Sequence, residues 1–423
     1  MLHLPYGKTT IPFEETGAKV LRSRVDEMIC NQAGGAIVRE AMENPVGSEK
    51  LSALAAGKRN CVLIISDHTR PVPSKDILPA MLAELRQGNP EIEITLLVAT
   101  GCHRGTTKAE LAEKLGEEIA ASERIVIHDA ADADSNVTIG TLPSGAPLVI
   151  DRLAANADLL IAEGFIEPHF FAGFSGGRKS VLPGVCDRVT VLGNHCSRFI
   201  DSEFSRAGVL EDNPIHADML AAAELAKLRY IVNVVINEEK QTVAAFTGDP
   251  VGAHLAGCEF LRPFCEVEAA PAEIVLTTNG GAPLDQNVYQ CVKGLSTAEA
   301  AAKPGGVLIL LAECADGVGG EDFYRSLSES KNASALYDSI LATPQERTIP
   351  DQWQSQILAR ILKKHTVIFV TRRELAETIR NMKMEYAPSL DEALKKARAL
   401  KGAEASLTVI PNGVSMIVRS INA

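Results

Sequence analysis

The sequence predicts an α/β protein of two α/β domains with mainly parallel sheets, and three observations support this fold class. The chain has 423 residues, which exceeds the size of one ordinary domain. Hydrophobic residues make up 46% of the chain and aromatic residues only 4%, which is typical of a core of Ala, Val, Leu and Ile. From residue 60 onwards, short apolar runs alternate with helical patterns, as expected for repeated β-α units.

The first domain is predicted to span residues 1–266. Its strands are expected at the apolar runs Cys61–Ile65, Ile92–Ala99, Ile125–His128 and Leu159–Ala162. A helix with the apolar face Ile77–Leu85 should end at Gly88, and Thr107 with Glu110 has the spacing of a capping box. Later elements of this domain are a helix and a hairpin, predicted at Asp218–Leu228 and at Tyr230–Ile236 with Thr242–Phe246.

The second domain is predicted to span residues 272–423 and to follow a polar, proline-containing linker at Cys265–Glu273. Four apolar runs predict its strands: Ile274–Thr277, Val307–Leu311, Thr366–Val370 and Leu407–Ile410. The pairs Ser296/Glu299 and Ser389/Glu392 have the spacing of capping boxes and predict the starts of two helices. The last strand could instead return to the sheet of the first domain.

Charge and hydropathy exclude several classes of function. The formal net charge is −12 and no basic run is present, which disfavours a nucleic-acid-binding surface. No apolar stretch reaches the length of about 18 residues that a membrane helix needs, and the N-terminus lacks the pattern of a signal peptide. The nine cysteines show no paired CxxC spacing, so reduced thiols are expected. We therefore predict a cytoplasmic protein that binds neither nucleic acid nor membranes.

Five loops that follow predicted strands combine glycine with polar or ionisable groups. Ligands bind at the carboxyl ends of parallel strands, so these loops are the candidate site. They cover residues 66–73, 100–105, 163–184, 278–285 and 313–320. Three histidines lie in or just after them, at His103, His169 and His195. The positive groups that could fix an anionic substrate are Arg70, Arg104, Arg178, Lys179 and Lys293.

The loop of residues 163–184 is rich in glycine and contains a lysine. Gly173, Gly176 and Gly177 can adopt positive φ angles and turn their N–H groups toward one point, as in a phosphate-binding loop. Arg178 stands where a P-loop has the glycine before its lysine, which makes a nucleotide triphosphatase a poor fit. We expect Lys179 to contact a phosphate or a cofactor.

Several of these motifs together resemble the nickel-pincer lactate racemase family. They occur in order from Asp67 to Trp353, with compatible spacing, and this is more specific than any single motif. The matching segments are Asp67-x-Thr69-Arg70, Thr100-Gly101-x-His103-Arg104, Glu167-Pro168-His169, Gly176-Gly177-Arg178-Lys179, Gly193-Asn194-His195, Tyr289-Gln290-x-x-Lys293 and the single Trp353.

The resemblance implies a role for each matching residue. Lys179 would carry a pyridinium-3,5-bisthiocarboxylate mononucleotide, the nickel-pincer nucleotide, in covalent linkage, and His195 would coordinate its Ni(II). His103 and His169 would be the paired acid/base residues, in an active site expected in the interdomain cleft. Cofactor contacts would come from Asp67, His68, Thr69 and Arg70. Substrate contacts would come from Arg70, Tyr289, Gln290, Lys293 and Trp353. Enzymes of cofactor biosynthesis would be needed for maturation.

The implied reaction is racemisation of a small 2-hydroxy acid, in the first place lactate. Removing the α-proton would leave a carbanion beside a carboxylate, whereas reversible hydride transfer gives a 2-keto acid that can accept hydride on either face. Two histidines suit the proton transfers because the ordinary imidazole pKa is near neutral. One alternative is another 2-hydroxy acid, such as malate, a longer-chain acid or a sugar acid. More remote alternatives are an NAD-dependent oxidoreductase, although no GxGxxG motif follows the first strand, and a non-catalytic cofactor-binding protein.

Overall fold

The structure is a computed structural model that describes residues 1–14 and 16–421. It divides into two compact units. The unit called the N-unit here comprises residues 24–195 and 204–263. The C-unit comprises Met1–Ser23, Cys196–Glu203 and Phe264–Ala423. No helix in the described part of the chain combines the length and the apolar character needed to cross a membrane.

The strands and helices of the described residues are numbered in chain order. The strands are β1 (Leu2–Tyr6), β2 (Thr9–Phe13), β3 (Lys19–Val20), β4 (Asn60–Ser66), β5 (Glu93–Ala99), β6 (Arg124–Ile127), β7 (Asn136–Thr141), β8 (Pro147–Asp151), β9 (Leu159–Phe165), β10 (Pro168–His169), β11 (Gly173–Phe174), β12 (Leu228–Ile236), β13 (Thr242–Gly248), β14 (Glu266–Ala269), β15 (Ala272–Thr278), β16 (Ala302–Leu311), β17 (Thr366–Val370), β18 (Glu385–Ala387), β19 (Leu407–Ile410) and β20 (Ile417–Ser420). The helices are α1 (Gly34–Glu43), α2 (Leu51–Ala55), α3 (Ser74–Gly88), α4 (Lys108–Leu115), α5 (Glu117–Ser122), α6 (Arg152–Ala155), α7 (Arg188–Asn194), α8 (Ser197–Asp201), α9 (Pro214–Leu225), α10 (Gly252–Cys265), α11 (Val288–Ala300), α12 (Glu321–Glu329), α13 (Ala333–Leu341), α14 (Gln352–Lys364), α15 (Ala376–Asn381) and α16 (Leu390–Lys401).

The N-unit is built on a six-stranded sheet in the order β13-β12-β9-β4-β5-β6. Its pairs are parallel except for the predicted hairpin of β12 and β13, which is antiparallel. Every residue of β9 is buried, as expected for a central parallel strand covered on both faces. The chain runs from β4 through β5 to β6 and then continues at β9 on the other side of β4. The carboxyl ends of β4 and β9 therefore flank a topological switch point, where α/β sheets bind ligands.

The C-unit contains a second six-stranded sheet in the order β18-β17-β16-β15-β19-β3, in which all pairs are parallel. Its switch point lies beside β15, because the chain first extends the sheet through β16 and later adds β19 on the opposite side. The helix α11 follows β15 and starts at this edge. The prediction of an α/β fold with mainly parallel sheets is therefore confirmed.

The division into units differs from the predicted ranges in two segments, Met1–Ser23 and Cys196–Glu203, which both group with the C-unit. The first 23 residues group with the C-unit because β3 pairs with β19, and because Leu4 and Phe13 are buried in the C-unit core. The last predicted strand, β19, pairs with β15 and β3, so it does not return to the N-unit sheet. Long-range pairing of this kind leaves no local signal in the sequence.

Two local predictions in the second half of the chain are wrong. The proposed linker at 265–273 is ordered, since Cys265 ends α10 and β14 pairs in parallel with β20. Its polar composition is that of a short, partly buried strand. Ser296 and Glu299 lie inside α11, whose N-cap is Asn287, whereas Ser389 does cap its helix by accepting a hydrogen bond from the Glu392 amide. The capping box of Thr107 and Glu110 is also confirmed.

Candidate functional site

The loop after β4 pairs a buried carboxylate with the first predicted acid/base histidine. Oδ2 of Asp67 lies 2.7 Å from Nδ1 of His103, which is placed by a tight turn after β5 in which its amide donates to the Thr100 carbonyl. Oδ1 of Asp67 accepts hydrogen bonds from the Thr69 hydroxyl at 2.6 Å and from the Thr69 amide at 3.1 Å. Asp67 is only 1% exposed, so both of its oxygens are engaged by the protein.

The charge state of Asp67 determines which nitrogen of His103 carries the hydrogen. Burial alone would raise the pKa of the Asp67 carboxyl, but the His103 hydrogen bond and the charges of His103 and Arg70 outweigh it and lower the pKa to about 2. An ionised carboxylate only accepts hydrogen bonds, so Nδ1 of His103 must donate. In neutral His103 the lone pair is then on Nε2, and 39% of this side chain is exposed. His103 therefore presents a base to its surroundings.

Arg70 follows in the same loop, and the contacts of its guanidinium distinguish it from the other arginines near the site. It contributes to the low pKa of Asp67, but within residues 1–14 and 16–421 its side chain forms no hydrogen bond or ion pair. Its backbone is fixed, because Lys114 donates to the carbonyls of Arg70 and Val72 at 3.1 and 3.3 Å. A planar fork of donors on an anchored backbone suits a carboxylate ligand.

The side chains of His68 and Arg104 contact α4 and the residues just before it. Nδ1 of His68 lies 3.1 Å from the Thr106 hydroxyl and its Nε2 lies 3.9 Å from Glu110 Oε1. Arg104 forms a two-pronged ion pair with the same Glu110 and is exposed. The expectation that Arg104 fixes an anionic substrate is therefore not supported by its contacts. The cofactor role of His68 stays a prediction.

The second acid/base candidate, His169, lies in a tight hairpin after β9. The strands β10 and β11 pair through Pro168 with Phe174 and through His169 with Gly173. Nδ1 of His169 accepts a hydrogen bond from the Ala172 amide at 3.2 Å. A backbone amide can only donate, so in neutral His169 the hydrogen is on Nε2. His103 and His169 are thus held in opposite tautomers, one presenting a lone pair and the other an N–H group.

The ring of Phe171 brings three predicted site residues together. Its centroid lies 4.5 Å from that of His169 and 5.1 Å from that of His195, and both imidazoles meet it edge to face. The Lys179 ammonium lies 5.9 Å from the same centroid. Phe171 is buried. Edge-to-face and cation–π contacts with its ring hold the two imidazoles and the ammonium in set positions relative to one another. Sequence reasoning missed this residue, although two phenylalanines beside a loop histidine are conspicuous in an aromatic-poor chain.

His195 ends α7 and is a neutral imidazole. Burial, together with the positive charge of Lys179, lowers its pKa to about 3, against the opposing effect of a hydrogen bond to the Val191 carbonyl. A metal-binding histidine must be deprotonated at the coordinating nitrogen, and imidazole is a good donor for Ni(II). The Lys179 amine and this imidazole lie against the same ring, that of Phe171. In the described part of the chain, no group of three or more His, Cys, Asp or Glu is arranged around a possible metal position.

The glycines before Lys179 serve a different purpose from the one predicted. Gly176 and Gly177 have positive φ angles of 86° and 53°, as expected. The Gly177 amide, however, donates to Asn233 Oδ1 at 2.7 Å. A Cβ atom would lie 2.6 Å from Asn233 Oδ1 at Gly176, and 2.9 Å from His254 Cγ at Gly177. Close packing of protein atoms therefore explains both glycines, and the prediction that Gly177 helps to cradle a phosphate is wrong.

The four predicted substrate residues of the second half lie in the C-unit. Tyr289, Gln290 and Lys293 are in the first turns of α11, which begins at the carboxyl edge of the sheet, and Trp353 is at the start of α14. Gln354 donates its side-chain amide to the Tyr289 carbonyl, and the Tyr289 hydroxyl is hydrogen-bonded to Asp351. These contacts join the two helix ends that carry Tyr289 and Trp353. Gln354 and Asp351 could not be found from the sequence, and the predicted location of the site between the domains stays a prediction.

Comparison with known proteins decides the family. Models for the lactate racemase N-terminal and C-terminal domains match residues 6–208 and 267–418. A lactate racemase from Thermoanaerobacterium thermosaccharolyticum is 51% identical over 421 residues, with 99% of both chains covered. This chain belongs to the lactate racemase family. Another lactate racemase, from Lactiplantibacillus plantarum, is 48% identical with the same coverage.

Solved structures agree with this assignment to the lactate racemase family. The apoprotein of the Thermoanaerobacterium thermosaccharolyticum lactate racemase superposes with a TM-score of 0.95 at 50% identity, over 99% of both chains. A protein from Thermotoga maritima has a TM-score of 0.66 at 18% identity over 91% of this chain and 97% of its own, which shows the fold alone. The predicted family and the predicted enzyme class, an isomerase of the racemase type, are confirmed.

Proposed function

We propose that this member of the lactate racemase family interconverts the enantiomers of lactate by moving the C2 hydrogen off the substrate and back as a hydride. The observation that carries the proposal is the opposite protonation of two histidines that follow β5 and β9, the strands on either side of β4. Nδ1 of His103 donates to the Asp67 carboxylate, whereas Nδ1 of His169 accepts from a backbone amide. One imidazole is ready to take a proton from the substrate hydroxyl and the other is ready to donate a hydrogen bond to it.

His103 is proposed to act as the base for one enantiomer. When its Nε2 accepts the hydroxyl proton, the imidazolium that forms remains bonded to the ionised Asp67, which lies 2.7 Å away. A buried carboxylate in this position holds the ring in place and stabilises its positive charge. For the other enantiomer His169 is proposed to take the hydroxyl proton after a change of tautomer. Its Nε2 releases a hydrogen to solvent and its Nδ1 gains one from solvent as the bond from the Ala172 amide opens, which leaves a lone pair on Nε2.

Lys179 and His195 are the residues that would hold the nickel-pincer nucleotide and its Ni(II). The fit rests on a neutral imidazole and a primary amine placed against the ring of Phe171. When bound, that group supplies an acceptor for the hydrogen of the carbinol carbon. Asp67, His68 and Thr69 are proposed to contact it from the loop after β4. Cofactor-biosynthesis enzymes, and a location in the cytoplasm where they could act, belong to the same proposal.

The substrate carboxylate is proposed to bind Arg70 in the N-unit and Gln290 and Lys293 in the C-unit. Arg70 is chosen because its guanidinium makes no other bond within residues 1–14 and 16–421, and its backbone is held by Lys114. Tyr289 and Trp353 are proposed to limit the substituent on C2 to a small apolar group. A methyl group satisfies that limit, whereas a second carboxylate or a sugar chain does not.

The test uses protein purified from its native host, so that the maturation enzymes have acted on it. We expect L-lactate to be converted to a racemic mixture, as followed by chiral chromatography, and intact mass to show an adduct that is absent from Lys179→Ala, with about one nickel per chain. Malate and longer 2-hydroxy acids, tested in the same assay, should be turned over more slowly. Racemisation by protein with an unmodified Lys179 would contradict the cofactor proposal, and a preference for malate would contradict the substrate.

A further inference from the structure

A buried arginine next to Lys179 has no role in the chemistry proposed above. Arg178 is only 1% exposed, and its guanidinium points into the N-unit. Its Nε donates to Nδ1 of His216 at 2.9 Å, and its Nη1 lies 2.9 Å from Nε2 of His254. Nη1 and Nη2 also donate to the carbonyls of Gly176 and Ala172, at 3.1 and 2.8 Å. The expectation that Arg178 binds an anionic substrate is therefore wrong, because its donors are used inside the protein.

All these partners of Arg178 are neutral. Within residues 1–14 and 16–421 no carboxylate is paired with its guanidinium. Burial, followed by the charge of Arg178, lowers the pKa of His216 to about 3 and that of His254 well below its ordinary value, so both imidazoles stay uncharged. A buried cation without a counter-ion is costly, and Met or Leu would fill the space without that cost. The fixed fork of donors must therefore serve a purpose beyond packing.

The two carbonyls that Arg178 binds belong to the segment between His169 and Lys179. Ala172 offers its carbonyl to Nη2, and its amide is the group that donates to Nδ1 of His169. Gly176 offers its carbonyl both to Nη1 and to the amide of Lys179, the latter at 3.2 Å. The guanidinium of Arg178 thus binds Ala172, which orients His169. It also binds Gly176, whose carbonyl accepts from the amide of Lys179.

We propose that Arg178 is a positioning residue that fixes His169 and Lys179 relative to each other and keeps His169 in the tautomer with its hydrogen on Nε2. This inference rests on the proposed function for its catalytic consequence only. The tautomer of His169 is a property of the protein without cofactor or substrate. Lysine cannot replace Arg178, because a single ammonium cannot reach both carbonyls in the geometry of a planar fork.

The decisive readout is the ¹⁵N spectrum of histidine-labelled protein, in which Nδ1 and Nε2 of His169 are identified by their loss in His169→Asn. In the wild type without cofactor we expect Nδ1 to behave as an unprotonated acceptor. In Arg178→Lys we expect the two nitrogens to exchange their protonation partly, because the Ala172 amide is no longer held. In mature enzyme the same variant should lower kcat for the enantiomer whose hydroxyl proton His103 takes by about 10- to 100-fold, as expected for a misplacement of about 1 Å, with KM little changed.

Arg360→Lys is the matched control. Arg360 is also buried, at 6% exposure, and donates to Glu299 in the C-unit, so its replacement tests the loss of a buried arginine without touching Ala172 or Gly176. We expect Arg360→Lys to lower the melting temperature and to leave the His169 nitrogens unchanged. Arg178→Lys with a wild-type His169 spectrum and wild-type kcat would overturn the proposal, as would identical behaviour of the two variants.

A second pair of variants serves if Arg178→Lys does not fold. His216→Leu removes the acceptor of Arg178 Nε, whereas His216→Gln keeps an oxygen that can accept the same bond. The leucine variant should disturb the His169 nitrogens and the glutamine variant should restore them, and equal spectra would overturn the proposal. If wild-type protein did not racemise lactate, the proposed function would fail while the spectra of the cofactor-free protein would still decide the role of Arg178.

Discussion

Oδ2 of Asp67 lies 2.7 Å from Nδ1 of His103 and thereby decides which nitrogen of this imidazole can act as a base. The two residues are 36 positions apart in the chain and follow neighbouring strands, β4 and β5. Their contact depends on a carboxylate that stays ionised although it is buried. The two histidines therefore differ in tautomer, because the Ala172 amide donates to Nδ1 of His169 and so keeps the hydrogen of that ring on Nε2.

The first prediction concerns the charge of that carboxylate. Asp67→Asn keeps the size of the side chain but can no longer stabilise an imidazolium, so kcat for lactate should fall by about 100-fold or more with little change in KM. Initial rates from chiral chromatography measure the effect. Asp151→Asn is the control, since Asp151 is another buried carboxylate beside a histidine, with Oδ2 3.1 Å from His128 Nδ1. Equal losses in both variants would show that the effect is structural.

The second prediction concerns stability at low pH. The pKa of Asp67 is lowered from 3.8 to about 2 in the folded protein, so the folded state favours the ionised form. The stabilisation is present above the unfolded pKa and is lost as the pH falls through the folded value. It amounts to about 2 kcal/mol and should disappear between about pH 4 and pH 2. Urea unfolding at pH 7 and pH 3 should show the difference between wild type and Asp67→Asn shrinking, and a constant difference would refute it.

The sequence predicted the fold well where the signal is local. Apolar runs located most strands of both sheets, because central parallel strands such as β9 are continuous hydrophobic segments. The prediction failed where strands that are far apart in the sequence pair with each other, and where a polar strand has the composition of a loop. The short strand β3 joins β19 across nearly the whole chain, and the polar strand β14 was predicted to be a linker. Neither pairing partner can be identified from composition.

The candidate site was predicted by motif and spacing, but its internal contacts were not. The resemblance pointed to His103, His169 and Lys179, and the structure places the last two around Phe171. Arg178 was predicted to bind an anion because it is a positive group in a loop after a predicted strand, and the sequence does not reveal that it is buried. Side-chain direction after a strand depends on packing with distant residues, here His216 and His254.

The third prediction concerns the ring of Phe171. Phe171→Leu keeps an apolar side chain but removes the ring that contacts His195 and Lys179. Nickel retained per chain after purification from the native host should fall by roughly fivefold, the effect of about 1 kcal/mol in aromatic contacts. Phe174→Leu is the control because Phe174 is buried in the same hairpin and its ring faces Arg262 instead. Full nickel content in Phe171→Leu would exclude a role for this ring at the proposed metal site.

The fourth prediction concerns the C-unit. Gln354→Ala removes the hydrogen bond to the Tyr289 carbonyl, so the start of α11 should loosen beside Trp353. We expect KM for lactate to rise and the preference for lactate over 2-hydroxybutyrate to fall by about fivefold, the effect of one buried hydrogen bond. Gln356→Ala offers a close control on the same helix, because Gln356 is equally buried and donates to Ser197. A loss of preference in both variants alike would mean that α14 as a whole is disturbed.

The central claim is that the hydrogen on C2 leaves and returns without exchanging with water. Lactate of one configuration, carrying deuterium on C2, should be racemised in ordinary water and analysed by mass spectrometry of each separated enantiomer. We predict that both enantiomers keep the deuterium, because His103 and His169 move only the hydroxyl proton. Replacement of the deuterium by solvent hydrogen at the rate of inversion would contradict this, since it would mean that a base removes the C2 hydrogen as a proton.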